Sequence, residues 1–157
     1  MQKTNAMRFL DKNKIKYDVH QYKSDDGHID GIAVANKLNQ NPKQVFKTLV
    51  SQGTSKELYV FVIPVNNELN LKKAALISSE KKIEMLHVKD INRYTGYIRG
   101  GCSPLAMKKQ YKTFIDNSAT EFDTIIFSGG KIGMQIEANA LEVAKVINAE
   151  FADLTSN

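Results

Sequence analysis

A lysine set among apolar strand residues is the side chain of this sequence best placed to do chemistry. In Val45-Phe46-Lys47-Thr48-Leu49-Val50, strand alternation puts Lys47 on the face of Val45 and Leu49 while Phe46 and Val50 take the other, so both faces are apolar. An ammonium there has two outlets. It lies at a sheet edge and its stem carries the charge back to water, or it points into a pocket where partial desolvation makes the charge effective. The spacing leaves both open. The second candidate is backbone: Gly96, Gly100, Gly101 and Ser103-Pro104, followed by Ser128-Gly129-Gly130, make turns. Their N–H groups can cradle a phosphate or a developing oxyanion, or the turns can simply join strands.

Other chemistries find little support. Cys102 is the single cysteine, which excludes an internal disulfide and every cysteine-based zinc cluster. It could pair with a histidine as a nucleophile and base, but its place between Gly101 and Ser103 in a tight turn fits a packing role better. His20, His28 and His87 are scattered without ligand spacing, so no metal is expected. SGGKIG has Ile125 where a phosphate-binding P-loop needs its first glycine, and no GxGxxG exists.

The chain has 157 residues, 42% of them hydrophobic and 25% charged, a mix that suits one globular domain spanning residues 1–157. No apolar run is long enough to cross a membrane, and the charged N-terminal segment does not read as a secretory signal, so a cytoplasmic protein is expected. The net charge of +5 favours a polyanionic partner. Only three arginines contribute, so the charge rests on lysines, which suit phosphate attraction better than base reading. Lys72/Lys73, Lys81/Lys82 and Lys108/Lys109 with Lys112 are candidates for a phosphate-tracking surface, and only their convergence in space would count.

These residues need elements to position them. Thr4 caps a helix carrying Ala6, Met7, Phe9 and Leu10; YDVHQY alternates as a strand; Ile32, Val34, Ala35 and Leu38 mark a second helix. VFKTLVS and ELYVFVIPV read as core strands around a QGTSK hairpin, and Asn70 caps LKKAALI. From Ser79 to INRYTG the pattern is mixed helix and turn, and GYIRGGCSPL is a loop. KTFIDNS, DTIIFSGG and GMQIEA are strands, and Asn139 with Glu142 boxes the start of ALEVAKVI. The order α-β-α-β-β-α-α-β-β-β-α disfavours a doubly wound parallel sheet and predicts a mixed or antiparallel one, curled toward a barrel.

Three segments together resemble a known family. Val45-Phe46-Lys47-Thr48-Leu49, the loop TGYIRGGCSPL from Thr95 to Leu105, and Phe127-Ser128-Gly129-Gly130-Lys131 are similar to the signature segments of the YbaK/EbsC-type aminoacyl-tRNA deacylases, specifically the Cys-tRNA(Pro) branch. The likeness runs from Asn5 to about Asp153, with LNLKKAA and EFADL included.

The resemblance implies a compact α/β mixed (α+β-like) domain around a mostly antiparallel, barrel-like sheet with flanking helices. It implies an editing enzyme that cleaves the ester joining a wrong amino acid to the terminal ribose, without cofactor or metal. Lys47 would be the essential lysine and the backbone at Gly100 and Gly101 the oxyanion donors. Tyr22, Thr48, Tyr97, Ser103, Ser128, Gly129 and Gln135 would contact the substrate. The substrate's own sulfur would attack its carbonyl, so the protein need supply no nucleophile. The implied partners are the acceptor end of tRNA(Pro) carrying cysteine and prolyl-tRNA synthetase, with neither membrane nor DNA. Gln135 stands where relatives carry an aspartate, and an aromatic is missing near Ile29 and Asp30. An Ala-tRNA(Pro) deacylase using water, and a non-catalytic module binding tRNA ends or a nucleotide, remain as alternatives.

Overall fold

The computed structural model describes residues 2–156. Helix α1 (Asn5–Lys12) begins where the Thr4 hydroxyl accepts from the Met7 amide, and it buries Ala6, Met7 and Leu10. Strand β1 (Tyr17–Gln21) follows, then α2 (Gly31–Lys37), capped by the Asp30 carboxylate at the Ala33 amide. The core hairpin is β2 (Phe46–Gly53) and β3 (Leu58–Pro64), antiparallel, with Lys47 opposite Ile63. Asn70 caps α3 (Leu71–Ser78) through the Lys73 amide. Next come β4 (Ile83–Met85) and α4 (Val88–Thr95), which Gly96 ends with φ +85°, a left-handed turn that suits glycine. Strand β5 (Lys112–Asp116), a 3-10 turn over Asn117–Glu121, β6 (Ile125–Lys131), β7 (Met134–Ala138), α5 (Ala140–Val146) and β8 (Glu150–Ala152) complete the chain.

The strands form two sheets among the described residues, one of three strands in the order β1-β7-β6 and one of five in the order β4-β2-β3-β5-β8. The mixed class holds, and antiparallel pairs outnumber parallel ones, since only β3–β5 and β5–β8 run parallel. The sheets do not close into a barrel. Among the described residues, an isolated parallel bridge from Val45 to Ile126 joins them.

Alternation along β3 shows how the layers stack. Val60 and Val62 pack with α1, α5 and the small sheet, while Tyr59, Phe61 and Ile63 pack against Ala74 and Ala75 of α3. A strand buried on both faces reads as an unbroken apolar run, which is why YVFVIPV lacks polar alternation.

Three elements depart from the sequence expectation. The segment after Ser79 resolves into β4 followed by α4; β8 and the 3-10 turn have no counterpart in the sequence pattern. β4 and β8 are three residues long and exist through pairing with β2 and β5, a non-local cause that propensity cannot register.

Candidate active site

β4 covers β2 only at Ser51, Gln52 and Gly53. The rest of that edge, residues 46–49, has no strand partner on that side among the described residues, and a cleft of about 740 Å³ lies along it. One wall is β2 itself with Lys47 and Thr48; the others are the loop after β1 with Tyr22 and Ile29, the start of α2, Val65 and Glu68 beyond β3, Arg99 and Gly100, and Ser128 and Gln135 from the small sheet. Lys47 is half-buried and takes part in no ion pair among the described residues. Of its two outlets, the structure places it in the pocket wall.

Thr48 contributes a buried hydroxyl oxygen that finds no hydrogen-bond partner among the described residues. A buried polar group left unmade costs about 1–3 kcal/mol, so this oxygen favours a ligand that can bond to it. Gln135 is 5% exposed and its Oε1 accepts from Gln40 Nε2 at 2.8 Å, fixing the amide in the wall. Ser128 Oγ accepts from the Gly130 amide at 3.2 Å. Tyr22 donates its amide to Gly133 O at 2.9 Å, tying the loop after β1 to the turn between β6 and β7.

The glycine loop divides in two. Gly100 lines the cleft with φ +88°, and its N–H has no partner among the described residues, leaving it free to meet an oxyanion. Gly101 does not serve that way: its N–H already donates to Ile98 O at 2.9 Å, and it lies outside the cleft lining. Its need for glycine is steric, because a Cβ there would sit 3.0 Å from the Ile132 backbone nitrogen.

Three more of the expected contacts face inward. Ser103 is fully buried and its hydroxyl accepts from the Leu105 amide. Gly129 is buried against the Met134 carbonyl, and its own carbonyl accepts from the Thr4 hydroxyl at 2.6 Å. Tyr97 is buried, its hydroxyl pushed up to about 12 by desolvation and donating to Leu105 O at 2.5 Å. These residues brace the loop; the hydrogen bonds that turn them inward are the physical reason they leave the cleft. Tyr97→Phe is therefore expected to lower stability by about 1 kcal/mol through the lost hydrogen bond, without changing the activity of the folded protein. Thermal unfolding beside an activity assay checks both halves.

Cys102 is the reverse case, read as packing yet found in the wall. Burial pushes its thiol up to about 12, against a smaller opposing pull from the Thr95 side chain. At neutral pH it is a thiol and not the nucleophilic thiolate. None of the three histidines lines the cleft. The cleft thus holds an unpaired ammonium, an open backbone donor and an orphan hydroxyl, with no activated side-chain nucleophile beside them. Ile29, Arg99 and Glu68 escaped sequence reasoning as wall residues, although Arg99 adjoins the glycine pair and Ile29 marks the altered loop. Ile29 packs on Gly100: a Cβ on that glycine would lie 2.9 Å from Ile29 Cδ1.

The family model for the aminoacyl-tRNA editing domain matches residues 29–146. A curated Enterococcus faecalis (strain ATCC 700802 / V583) protein, provisionally named Cys-tRNA(Pro)/Cys-tRNA(Cys) deacylase EbsC, is 44% identical over 155 residues, covering 99% of this chain and 94% of its own. Among solved structures, one provisionally described as a trans-editing enzyme for prolyl-tRNA synthetase superposes with a TM-score of 0.84 at 20% identity, covering 100% of both chains. A hypothetical protein superposes with a TM-score of 0.88 at 17% identity, over 98% of this chain and 100% of that one. The two structural likenesses concern the fold.

Proposed function

The chain belongs to the aminoacyl-tRNA editing domain family and is an aminoacyl-tRNA deacylase, a hydrolase of ester bonds; from that premise we propose that it removes cysteine from mischarged tRNA(Pro), with Cys-tRNA(Cys) as a further substrate. The observation that carries the proposal is the 44% identity, end to end, to a relative bearing that name. The cleft supports it. A pocket with an ammonium and a free backbone donor but no activated nucleophile suits a substrate that brings its own.

In the proposed reaction the cysteine thiol of the substrate loses its proton and its sulfur attacks the ester carbonyl carbon. The carbon–oxygen bond to the terminal ribose breaks, the ribose oxygen leaves and takes up a proton, and the amino acid departs as a cyclic thioester that water opens to cysteine. The protein's work is orientation and charge. Enforced geometry in intramolecular attack can supply effective molarities of about 10⁵ M or more. Lys47 holds the ester or the terminal nucleotide, and the Gly100 N–H meets the oxyanion, a donor of a kind worth about 3 kcal/mol elsewhere. The enzyme would act in the cytoplasm with prolyl-tRNA synthetase as its partner, since three arginines give little means of reading tRNA identity.

Purified protein with Cys-, Ala- and Ser-charged tRNA(Pro) tests the proposal: fastest release of cysteine is expected, and a preference for alanine would hand the cleft to the water-using alternative. Cys102→Ala is expected to keep most of the wild-type rate, because its thiol is protonated and the attacking sulfur belongs to the substrate. Loss of turnover in that variant, with an adduct trapped on the wild-type thiol, would transfer the nucleophile to the protein.

A further inference from the structure

The lysines of this chain sort into two populations. Lys73 pairs with Asp153 at 2.9 Å, Lys82 with Glu84 at 3.0 Å, Lys37 with Asp26 at 2.7 Å and Lys3 with Asp11 at 2.6 Å, so their charge is locally answered. Lys108 and Lys109 are exposed and pair with no carboxylate among the described residues. They also lie against a second basic element. The Lys108 amide donates to Thr95 O at 3.1 Å and its ammonium to Arg93 O at 3.3 Å, while Tyr111 donates its hydroxyl to Tyr94 O at 2.7 Å. Segment 107–111 is thereby fastened along the C-terminal half of α4. On that helix Lys89 and Arg93, four residues apart, share a face, and both are exposed. Among the described residues, Asp90, 3.5 Å from Arg93, is the one carboxylate paired there. Lys112 does not join: its ammonium lies over the Phe114 ring, which packs with α3.

We infer that this surface, with Lys89, Arg93, Lys108 and Lys109, is where the double-helical acceptor stem of the tRNA lies while its end enters the cleft. The identity of the polyanion rests on the deacylase reading; the patch itself rests on geometry. The patch leads to the cleft. Gly96 adjoins the Lys108 stem, a Cβ there lying 3.4 Å from Lys108 Cγ, and Gly100, in the wall, is four residues on, at most about 14 Å along the chain. Hydrated point charges that track phosphates without reading bases fit a duplex, which proteins recognise by shape and backbone. A single strand fits less well, because it needs open aromatic faces for stacking. Arg93 already covers the Tyr94 ring at 4.6 Å, and Lys109 sits 5.9 Å from the centre of the Tyr111 ring.

Fluorescence anisotropy with uncharged tRNA(Pro) transcript tests the inference, with an unstructured oligonucleotide of equal length beside it. Lys108→Ala/Lys109→Ala is expected to weaken tRNA binding about tenfold and to reduce the slope of log K against log salt by about 2. Lys81→Ala/Lys82→Ala, which removes the same charge elsewhere, should leave affinity unchanged. Lys109→Glu, at an exposed position, provides a second variant should the double one unfold. On charged tRNA the rate should fall with the affinity, and on a charged CCA trinucleotide it should not. Equal loss from both lysine pairs, no loss from Lys108 and Lys109, or an equal effect on the unstructured oligonucleotide would overturn the assignment. Patch-dependent tRNA binding by a protein that deacylates nothing would keep the surface and remove the deacylase reading.

Discussion

Lys47→Ala is expected to cut deacylation by about 10² to 10³ in kcat, the loss that follows removal of one electrostatic stabiliser from a preorganised site. The fold should survive. Lys47 is half-buried and belongs to no ion pair among the described residues, so its loss strands no carboxylate, and strand β2 keeps its register with β3. Taking a partly desolvated charge out of a wall is close to neutral for stability. Lys47→Arg should also be slow, because a planar fork does not occupy the place of a compact ammonium. Single-turnover hydrolysis of Cys-tRNA(Pro) beside thermal unfolding gives the answer. A folded Lys47→Ala protein with the parent rate would remove this lysine from the chemistry.

The second large effect lies in the substrate. Exchanging the cysteine thiol for the hydroxyl of serine changes one atom in the pocket but replaces a group that is a few per cent thiolate near neutrality by one almost wholly protonated. Ser-tRNA(Pro) should therefore react at least about 100-fold more slowly. The enzymatic rate with Cys-tRNA(Pro), corrected for spontaneous hydrolysis, should rise about tenfold per pH unit below the thiol's pKa, ordinarily near 8.5, and level off above it. The sign is fixed by the nucleophile. Raising pH removes the proton that blocks attack, and the protein's own thiol at about 12 adds nothing in that range. A trapped cyclic thioester would complete the case, whereas equal cleavage of Cys-, Ser- and Ala-tRNA(Pro) would sink substrate assistance.

Local rules located the helices and the β2–β3 hairpin because caps and periodicity are written in neighbouring residues: Thr4, Asn70 and Asn139 each cap where expected. They could not supply β4 or β8, nor the parallel seam between β3 and β5, whose partners lie far along the chain. The same limit divided the site. Lys47 stands out in sequence because a charge in a two-faced apolar strand breaks a local rule, but spacing alone does not choose between a sheet edge and the cleft wall where it lies. Gly100 and Gly101 are indistinguishable in sequence, yet one amide is open and the other is taken by Ile98. Tyr97, Ser103 and Gly129 lie in the expected segments and turn inward through bonds to Leu105 and Thr4. A motif tells which loop matters before it tells which atoms of that loop face the cleft.

The pairing of β1 bears on when this protein becomes competent during its own synthesis. Tyr17 faces Ala138 and Gln21 faces Met134, and β1 has no other strand partner among the described residues. Tyr22, one residue on, is anchored by the carbonyl of Gly133. A growing chain can close the β2–β3 hairpin early, with Lys47 in place, but the opposite wall waits until the ribosome has passed β7. At about 5–20 residues per second the delay lasts seconds, with an unpaired N-terminal strand exposed meanwhile. The nascent chain is inert until β7 has been made and has paired with β1, and a truncated product ending before β7 would be an aggregation hazard with half a cleft.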